Sequence, residues 1–422
     1  MVADLSRAPA FALRSGSTWR DPFAMYERLR RTSPVHHVTD DGTGAAVDYW
    51  VLTRHADVCA AATDPSTFSS AAGLTVTDNE IEAIGMADNP PLVMQDPPEH
   101  TRFRSLVARG FTPRQVEALA PRVRDFVARR LDRIDRLTGP DGQVDIVDLL
   151  LKPLPSMVVA HYLGVPERDW QRFDVWTEAI VGAVGDPGSA GADAGAATGE
   201  LLGYFADLIA ERRHAMDSGT PVGEDTVSAL VAAGRADDDA GLVSILAFVF
   251  TMIAGGNDTT TGLLGGSLDL LARHPDQRAR LADDPDLIPD AVSELLRLTS
   301  PVQGLCRQST RTVHYPDTPE GPVEIPAGRK VLLCYAAANR DPAAFGPDAD
   351  ELDIARRPRA ILTFGRGDHH CLGAAAARMA ARETLTAILA RFPEYEVGDI
   401  AWAAGNYVRR PTSMAFRPAG DG

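Results

Sequence analysis

The chain has 422 residues, of which 45% are hydrophobic and 24% are charged, and these fractions are typical of a folded globular protein. Its 58 acidic and 42 basic residues give a formal net charge of −16. Nucleic acids and anionic membranes attract basic surfaces, so this balance argues against either as the main partner. The length by itself allows one large domain or two to three average ones.

The four cysteines, Cys59, Cys306, Cys334 and Cys371, are too few and too scattered for a disulfide framework. Charged residues interrupt the N-terminal segment before any apolar run reaches the length of a signal peptide. The longest apolar run, Gly241–Gly256, ends at a polar pair and is shorter than the roughly 20 residues needed to span a bilayer. We therefore expect a cytoplasmic protein with no membrane anchor.

The hydrophobic pattern is mostly helical, with short strand-like segments. In chain order, helices are predicted at Pro22–Thr32, Arg114–Leu137, Glu200–Met216, Leu242–Arg273, Leu287–Leu298 and Leu372–Arg391. Strands are predicted at Tyr49–Thr53, Val323–Ile325, Lys330–Leu333 and Thr412–Phe416. Loops are predicted at Ser70–Gln95 and Gly185–Ala197, which are rich in small and turn-forming residues. Because no linker separates these elements, we expect a single domain over residues 1–422, mainly α with small β-sheets (an α+β fold).

The segment from Phe364 to Gly373 is the most informative part of the sequence. Its glycines permit an irregular loop with exposed backbone N–H groups, and Cys371 stands at the start of a predicted helix. A thiolate at this place would be stabilised by the helix dipole and by free amide donors. Gly373 leaves room for a flat cofactor to lie close to the backbone.

Three other roles for Cys371 stay open at this point. A buried structural cysteine is common, but it does not need flanking glycines. A zinc site is a poorer match, because no His or Cys follows Cys371 and Cys334 lies far upstream. A cysteine hydrolase would take His369 or His370 as its base, yet adjacent loop residues rarely form a nucleophile–base pair.

This segment resembles the signature of the cytochrome P-450 superfamily, F-G-x-G-x-[HR]-x-C-x-G. All the specified positions match: Phe364, Gly365, Gly367, His369, Cys371 and Gly373. The resemblance implies that Cys371 is the proximal thiolate ligand of the iron of haem b. It also implies the cytochrome P-450 fold, with the haem between a long central helix and the Cys-loop helix. An anionic sulfur ligand favours cleavage of the O–O bond.

Glu294 and Arg297 form an E-x-x-R pattern, which places both side chains on one face of a helix. The spacing alone says little, because Glu99–Arg102 shares it. The position of Glu294 and Arg297 upstream of the Cys loop matches the family, in which such a pair is structural and is joined by a later arginine. Arg356 is the candidate third member, although Leu352 replaces the phenylalanine that is usual in the family.

The long predicted helix carries the segment Gly255–Thr259 (GGNDT) in its apolar run. An acid and a hydroxyl are costly to bury there without a purpose. The glycines weaken the helix, and the Thr259 hydroxyl can take the carbonyl of Gly255 as its partner. The segment matches the family pattern [AG]-G-x-[DE]-T, which implies that Asp258 and Thr259 hold a water chain for proton delivery during oxygen activation. A purely local capping or helix-kinking role is the alternative.

Four basic residues match the family's contacts with the haem propionates. His100 and Arg104 lie four residues apart, hence on one helix face, in a segment that resembles the propionate-clamping helix. Arg307 and His369 match two further contacts. Each residue alone would be an ordinary solvated basic group, but their order along the chain favours charged hydrogen bonds to propionates.

The resemblance implies a haem-thiolate monooxygenase that inserts one oxygen atom from O2 into a small organic substrate. Residues of the family's pocket-forming regions are the candidates for substrate contact: Thr251, Gly255, Val302, Leu305, Met94 and Tyr407. Apolar residues in these regions, among them Leu74, Ile84, Met86 and Leu92, suggest an apolar, non-ionic substrate. The finer resemblance is to actinobacterial members, and this does not identify the substrate.

No flavin-binding or iron–sulfur cysteine pattern occurs in the sequence, so electrons must come from outside. The resemblance implies NAD(P)H, a ferredoxin reductase and a small ferredoxin. Arg366, Arg378 and Arg382 flank Cys371 and are candidates for a basic docking surface that the overall charge conceals.

Two other classes of haem protein remain open. A peroxide-driven or radical-coupling oxidase would keep the thiolate but would bypass external electrons or oxygen insertion. A haem sensor or carrier would use the same loop without needing Asp258 and Thr259.

Overall fold

The computed structural model describes residues 10–42, 46–83, 87–138, 142–185, 191–234 and 236–419. The helices in these ranges are α1 (Phe23–Thr32), α2 (His55–Ala62), α3 (Glu80–Ala83), α4 (Glu99–Val107), α5 (Pro113–Thr138), α6 (Pro153–Tyr162), α7 (Trp170–Gly185), α8 (Gly191–Asp217), α9 (Thr226–Ala232), α10 (Asp239–Arg273), α11 (Pro275–Asp283), α12 (Ile288–Thr299), α13 (Tyr335–Ala338), α14 (Pro342–Phe345) and α15 (Ala374–Arg391).

The strands are short and form small sheets. They are β1 (Val35–Val38), β2 (Tyr49–Leu52), β3 (Phe68–Ser69), β4 (Val144–Asp145), β5 (Leu305–Ser309), β6 (Val313–Tyr315), β7 (Val323–Ile325), β8 (Lys330–Leu333), β9 (Tyr395–Trp402) and β10 (Pro411–Pro418). One sheet has the order β1-β2-β8-β5-β3, another has the order β4-β10-β9, and β6 pairs with β7. Strands β2 and β8 run parallel, with Tyr49 opposite Lys330, and the other pairs are antiparallel.

Every predicted helix and strand is present, with ends displaced by a few residues in most cases and by nine at the start of α8. Helix α10 begins at Asp239 because the Asp238 carboxylate accepts a hydrogen bond from the N–H of Gly241 at 2.7 Å, which caps the helix. Helix α15 begins at Ala374 rather than at Leu372, since the residues after Cys371 still belong to the loop.

The loop predictions were partly wrong. Helix α8 begins at Gly191, so the second half of the predicted loop Gly185–Ala197 is helical, and residues 186–190 lie outside the described residues. Alanine, the strongest helix former, outweighs the glycines there. The predicted loop Ser70–Gln95 contains the short helix α3, and residues 84–86 of it, including Ile84 and Met86, are not among the described residues.

Helix α6 was missed for a physical reason. Nearly every residue of α6 is buried, so the helix lacks the polar face on which a 3.6-residue period depends. The missed strand β9 pairs with β10 along its length, and its sequence alternates weakly because much of it faces solvent.

Helix α10 lies between the other helices, and its C-terminal half is almost wholly buried. The largest hydrophobic cluster joins residues of α5, α6, α10, α12 and α15. A Cβ atom on Gly256 would lie 2.6 Å from Cγ2 of Val159, so this glycine allows α6 to pack closely against α10. By length and composition α10 would suffice to cross a bilayer, a property that core helices of globular proteins share.

Candidate functional site

The loop before Cys371 is folded by two glycines with positive φ angles, 65° at Gly365 and 71° at Gly367. A Cβ atom on Gly367 would lie 2.6 Å from the carbonyl oxygen of Ala62, so the loop packs directly on the end of α2. The N–H of Cys371 donates to the carbonyl of Phe364 at 2.8 Å, which closes the loop on itself. The backbone therefore fixes the position of the sulfur before any ligand binds.

The Cys371 side chain has accessible surface, yet protein atoms enclose the sulfur closely enough that burial raises the pKa of the thiol. Both observations hold together if the sulfur faces an internal space and not open solvent. The backbone N–H of Gly373 and the Arg104 guanidinium act in the opposite direction. The expected stabilisation of a thiolate at the helix start is thus present, but desolvation by the surrounding protein outweighs it.

One face of α10 is open at its centre. Thr251, Gly255 and Thr259 recur every four residues, and a Cβ atom on Gly255 would meet nothing within 4 Å. The Thr259 hydroxyl donates to the carbonyl of Gly255 at 2.8 Å, as the sequence predicted. The same helix is tightly packed at the neighbouring Gly256, so the open space is confined to one side.

Helix α10 and the Cys loop contribute to the same parts of the core. Met252 of α10 and Leu372, which follows Cys371, both pack against the two largest hydrophobic clusters. A Cβ atom on Gly373 would meet nothing within 4 Å. Gly373, like Gly255, therefore leaves open space beside the backbone.

A cluster of basic side chains lies beside the Cys loop. The rings of His100 and His369 are 4.2 Å apart between centroids, and Nε2 of His369 lies 3.0 Å from the Ser70 hydroxyl. His100 is buried, and its Nδ1 atom has no hydrogen-bond partner. Burial, followed by the charges of nearby Arg307, His100 and Arg104, lowers the pKa of His369 to about 3.

Two arginines complete the cluster without a matching acid. Arg307 is buried and donates to the carbonyl of Cys306 at 2.8 Å, and Arg104 donates to the carbonyl of His370. Across the ranges that the structure describes, neither Arg104 nor Arg307 is within ion-pair distance of a carboxylate. Their positive charge and the orphaned nitrogen of His100 suit an anionic ligand, and the two propionates of a haem meet that requirement.

Asp258 does not lie on the open face of α10. It precedes Thr259 by one residue and therefore lies on a neighbouring side of the helix. Its Oδ1 atom is 2.7 Å from Nε of Arg410, and both side chains are largely buried. Burial raises the pKa of Asp258, and Arg410 and then Lys152 oppose that rise. Sequence reasoning missed Arg410, because nothing local marks a residue so far along the chain as the partner of a helix aspartate.

Glu294, Arg297 and Arg356 form a buried network. Arg297 donates from Nε and a terminal nitrogen to the two oxygens of Glu294 at 2.8 and 2.7 Å, and Nε of Arg356 donates to Oε1 of Glu294 at 3.0 Å. Arg297 also donates to the carbonyl of Asn339, whose side chain accepts from the N–H of Leu362. The network therefore supports the backbone that leads into the Cys loop.

The remaining pocket candidates occupy varied positions. Met94 is buried, Val302 forms a β-bridge with Val408, and Leu305 begins β5. The Tyr407 hydroxyl accepts a hydrogen bond from the N–H of Val76 at 2.9 Å, so it holds the 70–80 segment in place.

The predicted basic docking surface is only partly free. Arg382 is paired with Glu117 and Glu383, so its charge is neutralised, which corrects the expectation for this residue. Arg378 donates to the Ser293 hydroxyl at 2.6 Å and lies 5.3 Å from the centroid of the Phe364 ring. Arg366 is exposed, and its side chain interacts with Cys59 of α2.

Comparison with known proteins places the chain in a family. Residues 77–396 match the family described as Cytochrome P-450. The chain is 58% identical over 413 residues to cytochrome P-450 130 of Mycobacterium tuberculosis, covering 96% of this chain and 97% of that protein. It is 37% identical over 409 residues to the cytochrome P-450 monooxygenase PikC of Streptomyces venezuelae, with 94% and 91% covered.

Solved structures agree with these relatives. The ligand-free P-450 monooxygenase TamI superposes with a TM-score of 0.80 at 32% identity, covering 94% of this chain and 92% of that one. CYP109E1 of Bacillus megaterium, solved in complex with testosterone, superposes with a TM-score of 0.78 at 28% identity, covering 94% and 99%.

The fold class and the family predicted from the Cys371 loop are both confirmed by these matches, which extend over nearly the whole chain. Membership implies haem and iron binding. The chain belongs to the cytochrome P-450 family and is a P-450 monooxygenase.

Proposed function

We propose that this enzyme holds haem b through Cys371 and inserts one oxygen atom from O2 into an apolar organic substrate. The observation that carries the proposal is the enclosed Cys371 sulfur at the end of the glycine loop, beside Arg104, which donates to the carbonyl of the preceding His370 and forms no ion pair among the described residues. In this arrangement Phe364 and Gly373 would flank the ring, and His100, Arg104, Arg307 and His369 would bind the propionates.

When bound, a thiolate-ligated haem supplies the activation of O2, and the overall reaction is RH + O2 + 2 e⁻ + 2 H⁺ → ROH + H2O. The protein must then supply two protons to a site closed to bulk water. Thr259 is suited to this role because its hydroxyl donates to the Gly255 carbonyl, which leaves its lone pairs free to accept from a water in the open space. Asp258, one residue away, is the titratable group from which such a water could be reprotonated.

We infer an apolar, non-ionic substrate, contacted by Thr251, Gly255, Val302, Leu305 and Met94. Two relatives are named as hydroxylases of organic molecules: Vitamin D(3) 25-hydroxylase of Pseudonocardia autotrophica, 36% identical over 385 residues, and 6-deoxyerythronolide B hydroxylase of Saccharopolyspora erythraea, 34% identical over 406 residues. Tyr407 supports the pocket indirectly, because its hydroxyl holds the 70–80 segment in place.

We propose that electrons arrive from NAD(P)H through a ferredoxin reductase and a ferredoxin. A shallow groove between α5, α12 and α15 lies beside the Cys-loop helix and is lined by Val116, Val292, Met379 and Arg378. Arg378 supplies positive charge in this groove for an acidic ferredoxin, whereas Arg382, which also lines it, is paired with Glu117. We also propose that residues 1–422 form a single domain. We propose a cytoplasmic location, which the burial of the C-terminal half of α10 within the protein supports.

The reduced protein with bound carbon monoxide tests the thiolate assignment. We expect the red-shifted Soret band of thiolate-ligated haem, its loss in Cys371→Ala, and its retention in Cys59→Ala, a control at another partly accessible cysteine. Haem-loaded, well-folded protein that lacks this band would refute the proposal.

The proton-delivery assignment has its own matched control. Thr259 and Thr260 make the same bond, each hydroxyl donating to the carbonyl four residues earlier at 2.8 and 2.9 Å, but only Thr259 lies on the open face. Thr259→Ala should release peroxide at the expense of product, and Thr260→Ala should not. Equal coupling in both variants with reconstituted ferredoxin would contradict the role of Thr259.

A further inference from the structure

The contact between Asp258 and Arg410 joins α10 to a distant segment of the chain. Nε of Arg410 is 2.7 Å from Oδ1 of Asp258, and the two side chains are 10% and 21% exposed. Despite this distance the N–H of Nε is not satisfied as a hydrogen-bond donor, so the contact is an ion pair with misaligned geometry. A charged pair in such a place is not explained by stability, because a partly satisfied buried pair barely repays its desolvation.

Two glycines of α10 make the contact possible. Gly262 follows Asp258 by one turn, and a Cβ atom on it would lie 2.6 Å from the carbonyl oxygen of Arg409. A Cβ atom on Gly265 would lie 2.6 Å from Cγ of Pro411. The backbone of residues 409–411 therefore lies directly on the helix, and this approach delivers the Arg410 side chain to Asp258.

The 409–411 segment is also fixed from its other side. The N–H of Arg409 donates to the carbonyl of Pro301 at 2.8 Å, and the carbonyl of Arg410 accepts from the N–H of Ala403 at 3.1 Å. The Arg409 side chain donates to the carbonyl of Trp19 at 2.7 Å. The backbone on either side of Arg410 is thus tied to neighbouring segments by hydrogen bonds.

The charges around Asp258 are few. Arg410 and Lys152 are the cations whose fields act on the carboxyl group, and Arg410 has the larger effect. In the described ranges Arg410 forms an ion pair with no carboxylate except Asp258. Removing Arg410 would leave burial as the dominant influence on Asp258, and burial favours the neutral acid.

We propose that Arg410 is a positioning residue for the monooxygenase reaction, which keeps Asp258 ionised and turned toward the 409–411 segment, with Gly262 and Gly265 as the platform that places it. This inference rests on the proposed proton-delivery role of Asp258. An ionised Asp258 can accept a proton from solvent and pass it to a water beside Thr259. A neutral Asp258 cannot accept a proton from solvent until it has released its own.

The test combines infrared spectroscopy and kinetics on the haem-loaded enzyme. At neutral pH we expect no C=O stretch of a protonated Asp258 in the parent enzyme, and its appearance in Arg410→Gln, assigned by its absence in the double variant with Asp258→Asn. The pH midpoint of coupled turnover should rise by about one to three pH units, the range by which an adjacent opposite charge shifts a carboxyl group. Arg410→Lys should restore most of the parent profile.

Two further variants separate placement from charge. Gly262→Ala keeps every charge but pushes the 409–411 segment from the helix, so it should shift the midpoint in the same direction as Arg410→Gln. Arg417→Gln is the control. Arg417 lies on an exposed part of strand β10, which begins directly after Arg410, and its substitution should change neither the infrared spectrum nor the pH midpoint. An unchanged infrared spectrum and pH midpoint in Arg410→Gln would overturn the inference.

The proposed roles of Asp258 and of Arg410 can be refuted separately. If Asp258→Asn has normal coupling, the proposed proton-delivery role of Asp258 is wrong, and Arg410 loses its function with it. If Asp258→Asn is impaired and Arg410→Gln behaves like the parent enzyme, only the inference about Arg410 is wrong.

Discussion

The Glu294–Arg297 and Asp258–Arg410 pairs are both largely buried in this enzyme, and they are built differently. Both side chains of the Glu294–Arg297 pair are 0% exposed, and two parallel hydrogen bonds join them. The Asp258–Arg410 pair has one close contact and retains some exposure on both sides. The first pair is further bonded to Arg356 and to backbone carbonyls, whereas the second leaves a donor unsatisfied.

The difference reflects what each pair does. Two charges removed from water are tolerated only where good geometry and additional bonds compensate their desolvation. The Glu294 network meets that condition and therefore suits a rigid support behind the Cys loop. Asp258 is held by a weaker contact, which suits the proton-delivery role proposed for it, because a group that exchanges protons has to change its charge at modest cost.

The largest effect is expected from breaking the saturated pair. Glu294→Ala leaves Arg297 buried without a counter-charge and should lower the free energy of unfolding by about 3–5 kcal/mol. Denaturant unfolding of the haem-loaded enzyme measures this. Glu99→Ala is the matched control, since Glu99–Arg102 has the same spacing but is 66% and 76% exposed, and its loss should cost less than about 1 kcal/mol. Equal losses in both variants would show that burial does not distinguish the pairs.

The second effect concerns the weaker pair and appears in activity. Asp258→Asn should lower coupled turnover by about 100-fold or more, as expected for loss of a positioned proton-transfer group. Its free energy of unfolding should fall by less than that of Glu294→Ala. Asp269→Asn on the same helix removes an aspartate that pairs with Arg273 near the surface, and this control should retain normal turnover. A stability loss without a kinetic effect would make Asp258 structural.

A smaller effect is expected at the edge of the saturated network. Arg356→Ala removes charge-assisted hydrogen bonds to Glu294 and Asp348 and should lower the free energy of unfolding by about 1.5–3 kcal/mol. Arg357→Ala is the control, because the neighbouring arginine is 71% exposed and pairs only with Asp290 among the described residues. Thermal unfolding of the two variants should separate clearly. If both behave alike, Arg356 is not a member of the network.

The smallest effect is the pH response of Asp348. Its hydrogen bond with Arg356 lowers the pKa of Asp348 below its ordinary 3.8, so the contribution to stability is present above that value and is lost as pH falls through the folded-state pKa. The stability difference between the parent enzyme and Asp348→Asn should therefore shrink on acidification below about pH 4. Denaturant titrations at several pH values measure it. A difference that grows in acid would reverse the assigned sign.

Local chemistry was enough to predict much of the site. The Phe364–Gly373 loop is recognisable because two positive-φ turns and a cysteine before a helix can be read within a few residues. The bond from Thr259 to Gly255 follows from helix spacing in the same way. Elements whose pattern is local, such as α10 and β8, were also predictable, whereas α6 was not, because uniform burial removes its periodicity.

By itself, the sequence determined the family, the Cys371 loop and the helix that carries Asp258 and Thr259. Only the tertiary structure decided that Asp258 pairs with Arg410, that Arg382 is neutralised by two glutamates, and that the thiol of Cys371 is destabilised as a thiolate by its burial. The physical reason is the same in each case. Desolvation and ion pairing depend on which distant segments come into contact, and no local pattern encodes the partner.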